Sequence, residues 1–230
     1  MNYLKYHLLS FAALLFMSCG GGPGSVREFL ITDYGAKADG VTDNAPAIKK
    51  AIAACADAGG GRVIVPGDGV FMTGPFDLVS KLVLHMEAGA TLLANPDTSV
   101  YTKSAFRDNP GEGTIWIGGE NLHDLAITGM GVIDGNGINF MGEELADSYD
   151  LLSFEVKDPR PHILTLVNVH KLRIEDVTFR NSAYWTVHLI GCNDGVIRGI
   201  TIDNSLKIRN SDGIDLDHSK NIRISDCYIQ

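Results

Sequence analysis

The stretch Asn210-Ser211-Asp212-Gly213-Ile214-Asp215-Leu216-Asp217-His218 sets three carboxylates within six residues, beside an imidazole. Grouped carboxylates can act as general acid and base, or hold a hard cation such as Ca²⁺. In a strand, alternate residues share a face. Asp215 and Asp217 would then lie on one side and Ile214 and Leu216 on the other, with Asp212 at the turn before them. Asn, Ser, Asp and Gly are also turn formers, so the same stretch reads as a plain loop.

The elements that would carry this cluster repeat. Leu164, Asn168, Val169, Leu172, Ile174, Val177 and Phe179 recur 23 residues later as Val187, Gly191, Cys192, Gly195, Ile197, Ile200 and Ile202. A further 27 residues on stand Ile214, His218, Ser219, Ile222, Ile224, Cys227 and Ile229; 47 residues before the first set stand Ile117, Asn121, Leu122, Leu125, Ile127, Met130 and Val132. Short strand patterns fill the units, for example Lys81–His85, Ile163–Val167 and Thr186–Ile190, with Gly, Asn or Asp between them. Units of this length cannot bury their own apolar face, so they stack into columns. The pattern predicts an all-β solenoid, a right-handed parallel β-helix. It takes the 47-residue step as two coils with an insertion at 138–161. Thr42-Asp43-Asn44, Pro46 and the stripe Ile48, Ala51, Ile52, Cys55 predict one helix over about 43–58, capping the first coil. The pattern stops at Gln230 inside a strand with no closing cap, so the solenoid is expected to be C-terminally truncated.

The 230 residues are 45% apolar and 20% charged, which suits a packed domain. A net charge of −9 argues against a general nucleic-acid binder. Residues 1–18 hold a short apolar run and end at Ser18-Cys19, ahead of Gly20-Gly21-Gly22-Pro23-Gly24. This resembles a bacterial lipoprotein signal, which implies cleavage before Cys19, lipidation of its sulfur and a Gly-rich tether over 19–30. The protein is then exported and held at the outer membrane or periplasm through lipid alone. Cys55, Cys192 and Cys227 read as buried free thiols.

Asn210-Ser211-Asp212-Gly213-Ile214-Asp215 resembles the Asn-Thr-Asp motif of the polygalacturonase family of glycoside hydrolases, with Ser for Thr. Asp33-Tyr34-Gly35-Ala36, Asp39-Gly40-Val41-Thr42-Asp43, Gly131-Val132-Ile133-Asp134-Gly135-Asn136-Gly137, Arg160-Pro161-His162 and Phe179-Arg180-Asn181-Ser182 with Trp185 and His188 are similar too, in the family's order over 31–230. The resemblance implies inverting hydrolysis of α-1,4 bonds in a pectic polysaccharide or oligogalacturonide, by a monomer needing no cofactor. It implies that Asp212 helps activate the water. The partner Asp-Asp pair, the Gly-His-Gly motif and the Arg-x-Lys clamp would lie past Gln230, so these residues alone are expected to be inactive. Trp185 reads as a sugar-stacking ring or a core aromatic, and His188 is expected to share its face. Asn210 is expected to hold the Asp212 turn through side-chain hydrogen bonds, and Asp215 to lie near the site without being the acid. The competing readings are a Ca-dependent lyase-like β-helix and a non-catalytic carbohydrate-binding β-helix.

Overall fold

The computed structural model describes residues 26–67, 69–106, 113–144, 151–153 and 159–230; the leader and Cys19 lie outside them. The described chain winds as a right-handed parallel β-helix of three sheets. The sheet that carries the site holds Phe76–Asp77, Thr114–Glu120, Pro161–Val167, Val187–Ile190 and Ile214–Asp217. A second sheet includes His123–Gly129, His170–Glu175, Asn193–Arg198 and Lys220–Ser225, and a third includes Val132–Asp134, Thr178–Arg180, Thr201–Asp203 and Tyr228–Ile229. Each coil visits the three in that order.

The aligned residues of the first two sheets are ladder partners; in the third sheet the 47-residue alignment slips by one, since Phe179 pairs with Ile133 and Val132 with Thr178. Ile117, Leu164, Val187 and Ile214 pair in one row, and Ile127, Ile174, Ile197 and Ile224 in another. Ile117, Ile127, Ile174 and Ile197 are fully buried, so the repeat records an apolar stack inside the coil. Residues 47 apart are direct neighbours, which corrects the two-coil reading: the step is one coil. The added length loops out, carrying the antiparallel pair Met141–Glu144 and Leu151–Ser153, and adds no rung.

Two-residue turns link the site sheet to the second sheet and the second to the third from Thr114 onward. Their first residue at Asn121, Asn168, Gly191 and His218 has φ between 52° and 62°. Gly and Asn tolerate this left-handed backbone, which explains that column. From Thr114 onward the long connections all run from the third sheet back to the site sheet. One corner of the β-helix therefore gathers the irregular chain, and with it the capacity for function.

The helix forms at Ala45–Asp57, within the expected span, and buries Ile48, Ala51, Ile52 and Cys55 over the first coil. Its start is held by the Asp43 side chain. Asp43 Oδ1 accepts from the Ala45 and Gly74 N–H groups, while Asn44 turns inward and its Nδ2 donates to the Lys37, Thr42 and Met72 carbonyls. Glu28–Leu30, expected in the tether, form a strand paired with Gly61–Val65, because their N–H and C=O groups complete that sheet. In the coil at 214–229, Leu216 is 46%, Ile224 41% and Ile229 51% exposed, whereas their partners Leu189, Ile197 and Ile202 are at 0%.

Candidate active site

The outer face of the site sheet is built by a stacked irregularity. In a regular parallel ladder, alternate N–H groups point to the same neighbour. Here the successive groups of Ile163 and Leu164 donate to the Trp185 and Thr186 carbonyls of the next coil. Those of Thr186 and Val187 donate to Asp212 and Gly213 in the coil after. Each strand start therefore holds one extra residue, a bulge repeated in register. It reverses the alternation, so residues three apart share the outer face.

Two rows result. Trp185 and Asp212 occupy equivalent places, one residue ahead of the bulge, with His162 before them. Thr165, His188 and Asp215 form the second row by direct pairing. Trp185 and His188 meet with ring centroids 4.7 Å apart at 86°. They share a face as expected, but because of the bulge: in a regular strand a separation of three would place them on opposite sides. Trp185 is half-buried and His188 is buried. His162 stacks on Tyr184 at 5.1 Å, and Phe106 lies against His162, Tyr184, Trp185 and His188. Neither His162, Tyr184 nor Phe106 was assigned a site role from sequence; the Arg-Pro-His stretch was the available signal for His162.

Asp212 is exposed and Asp215 half-buried. Burial, then the nearby Asp212 charge, push the Asp215 carboxyl up to about 6. Burial also lowers both histidines, His162 to about 3, so each imidazole is neutral at pH 7. Asp217 lies one alternation beyond Asp215 and bonds to His218 Nδ1. Asp212 and Asp215 thus sit three residues apart on one face in unlike environments, one exposed and one half-buried.

The turn ahead of Asp212 is not tied by the Asn210 side chain, which makes no hydrogen bond among the described residues. Asn210 supplies a left-handed backbone instead, at φ 59°. The ties come from elsewhere. Buried Asn204 donates from Nδ2 to Thr186 Oγ1 at 2.7 Å and to the Ser211 carbonyl at 2.8 Å, and accepts from Ser182 N–H at 2.9 Å. Arg160, also buried, donates from one guanidinium nitrogen to the Arg209 carbonyl at 2.7 Å and the Ala183 carbonyl at 3.0 Å, and lies 4.7 Å over the Tyr184 ring. Ser211 Oγ donates to the Ile208 carbonyl. Loops from successive coils are joined under Asp212 by Arg160, far from it in sequence, and by Asn204, eight residues before it.

This arrangement can be set beside known proteins. The family model described as glycosyl hydrolases family 28 matches residues 55–230. A probable polygalacturonase of Vitis vinifera is 34% identical over 215 residues, covering 86% of this chain and 41% of the relative. The exo-poly-alpha-D-galacturonosidase of Dickeya chrysanthemi is 28% identical, covering 84% and 39%. The crystal structure of a hyperthermoactive exopolygalacturonase from Thermotoga maritima superposes with a TM-score of 0.74 at 26% identity, covering 89% of this chain and 52% of that one. The chain spans about two fifths of the length of these curated relatives. With a family model matching most of its residues and the coil geometry in agreement, the chain belongs to glycosyl hydrolase family 28.

Proposed function

We propose that this chain supplies the water-activating side of an inverting, pectin-degrading glycoside hydrolase of polygalacturonase type. The carrying observation is Asp212, exposed on the bulged face one coil beyond Trp185. Inverting hydrolysis needs a base for water and an acid for the leaving oxygen, with room for the water between them. Asp212 is the carboxylate that polarises the water. Trp185 offers a face for a sugar ring, and His188 and Asp215 line the same strip. Family 28 membership favours hydrolysis over the lyase-like reading. The leaving-group acid is assigned to a coil stacked on 214–229, whose apolar residues already lie open to it. Export and lipidation at Cys19 are part of the same proposal, supported by the apolar leader and the Gly-rich run after it.

The test is reducing-end release from polygalacturonate by the protein that carries this chain, with the product anomer read by NMR. Inversion is expected, and Asp212→Asn is expected to lower kcat at least a hundredfold with a smaller effect on KM. Retention of configuration, or unchanged kcat in Asp212→Asn, would overturn the reading.

A further inference from the structure

The outer face of the site sheet is open at one end and shut at the other. In its first row Asp212 is exposed and Trp185 half-buried, whereas His162 is fully buried. In its second row Asp215 is half-buried, whereas His188 and Thr165 are buried. His162, His188 and Thr165 lie on the outside of the β-helix, so their burial needs a cover above the sheet. The Phe106 ring supplies one over the two imidazoles. Its centroid lies 5.5 Å from that of His162, 5.3 Å from that of Trp185 and 6.5 Å from that of His188, and it meets Trp185 edge to face at 87°. Edge-to-face ring contacts of this kind are attractive.

Backbone pairing holds this cover in place. Residues 103–105 run antiparallel to 113–115, at the start of the site-sheet strand Thr114–Glu120. The Ala105 N–H donates to the Gly113 carbonyl at 2.8 Å, and the Ile115 N–H to the Lys103 carbonyl at 2.9 Å. The Phe106 N–H donates to Ser104 Oγ at 3.2 Å. Gly113 makes the room: a Cβ there would stand 2.5 Å from the Phe106 ring and 2.9 Å from His162 Nε2. From the covered His162 to Asp212 the face advances two rungs, about 10 Å. A coil stacked on 214–229 lengthens the face beyond Asp212 and leaves the shut end as it is. A sugar chain lying on the sheet therefore meets a wall on one side of Asp212 only.

We propose that Phe106 closes one end of the substrate groove, so that the protein trims a pectic chain from its end and does not cut within it. The proposal rests on the pectin-hydrolase reading and adds its mode of action. The end of a chain fits between the Phe106 cover and Asp212, whereas the interior of a chain would have to run through the ring. The test is digestion of polygalacturonate by the protein that carries this chain, with products separated by anion-exchange chromatography and viscosity followed alongside. Mono- or digalacturonate is expected as the early product, with a viscosity loss per bond cut at least tenfold below that of a random-cutting polygalacturonase. Phe106→Ala uncovers the face. It is expected to put longer oligomers among the first products and to raise the viscosity loss per bond at least fivefold, while Phe106→Tyr, which keeps the ring, retains the parent pattern. Phe106→Leu, which keeps apolar bulk and thins the cover, is read in the same way if the alanine variant does not fold. Oligomers of mixed length from the parent at the earliest times would show that Phe106 gives way to a chain interior and overturn the proposal. An unchanged product pattern in a folded, active Phe106→Ala would overturn it as well. Both results leave pectin hydrolysis standing, whereas no cleavage of polygalacturonate by the parent overturns the hydrolase reading itself.

Discussion

The sharpest consequence of the site's electrostatics concerns Asp215. Its carboxyl ordinarily titrates near 3.8 and here is raised to about 6, by burial first and by Asp212 second. A raised acid in the folded state holds its proton more tightly than in the unfolded state. The associated stability is therefore fully present below about pH 3.8 and is lost as pH rises through about 6. At about 1.4 kcal/mol per pH unit the whole difference would be about 3 kcal/mol. Asp215 is only half-buried, and water screens part of it, which leaves about 1–2 kcal/mol. Asp215→Asn removes the ionisable group and keeps the shape. Urea unfolding is expected to show the variant more stable than the parent by that amount at pH 7.5, and by no more than about 0.5 kcal/mol at pH 4. Carbon-detected NMR of the Asp215 carboxyl should show its midpoint falling in Asp212→Asn. An equal gain at both pH values would mean that packing and not charge is at work. Destabilisation at pH 7.5 would refute the reasoning outright.

Three further outcomes are expected. Asn204→Ala leaves the Ser182 N–H and the Ser211 carbonyl without their partner, so chemical denaturation should show a loss of about 3 kcal/mol; a loss under about 1 kcal/mol would remove Asn204 as the tie of the Asp212 turn. Ile174→Ala and Ile224→Ala alter the same column, but Ile174 is fully buried and Ile224 is 41% exposed, so the losses should be about 3–4 and about 1 kcal/mol; equal losses would contradict the burial pattern. In the protein that carries this chain, amide exchange should be as slow in 214–229 as in 163–203, because the proposed further coil covers the open apolar residues Leu216, Ile224 and Ile229; faster exchange in 214–229 would count against that coil.

The two carboxylates of the site have neighbours of different kinds, and the difference gives the strip its direction. Asp212 stands exposed at the rim, ahead of the bulge. Asp215 backs onto His188 and Thr165, which hold no charge and no internal partner. Along the coils the face passes from apolar rings at Trp185 to the open carboxylate of Asp212 one rung later. Arg160 and Asn204 add nothing to that surface, yet both fix the loop that presents it.

The columns Ile117–Leu164–Val187–Ile214 and Ile127–Ile174–Ile197–Ile224 could be read from sequence alone, because stacked coils demand the same apolar type at the same interval. The helix over the first coil was readable for a similar reason, from the i, i+3, i+4, i+7 stripe that ends at Cys55. Asp212, Asp215, Trp185 and His188 were singled out by residue type and motif. Their common face was not deducible, since it depends on two successive N–H groups choosing the same neighbouring coil, and no side chain marks that choice. Nor did any spacing show that Asn204 and Arg160, rather than Asn210, hold the Asp212 turn. Arg160 reaches the turn by a hydrogen bond across 49 residues, and Asn204 is itself fixed by Ser182 and Thr186 of the preceding coil, contacts that exist only once the coils are stacked.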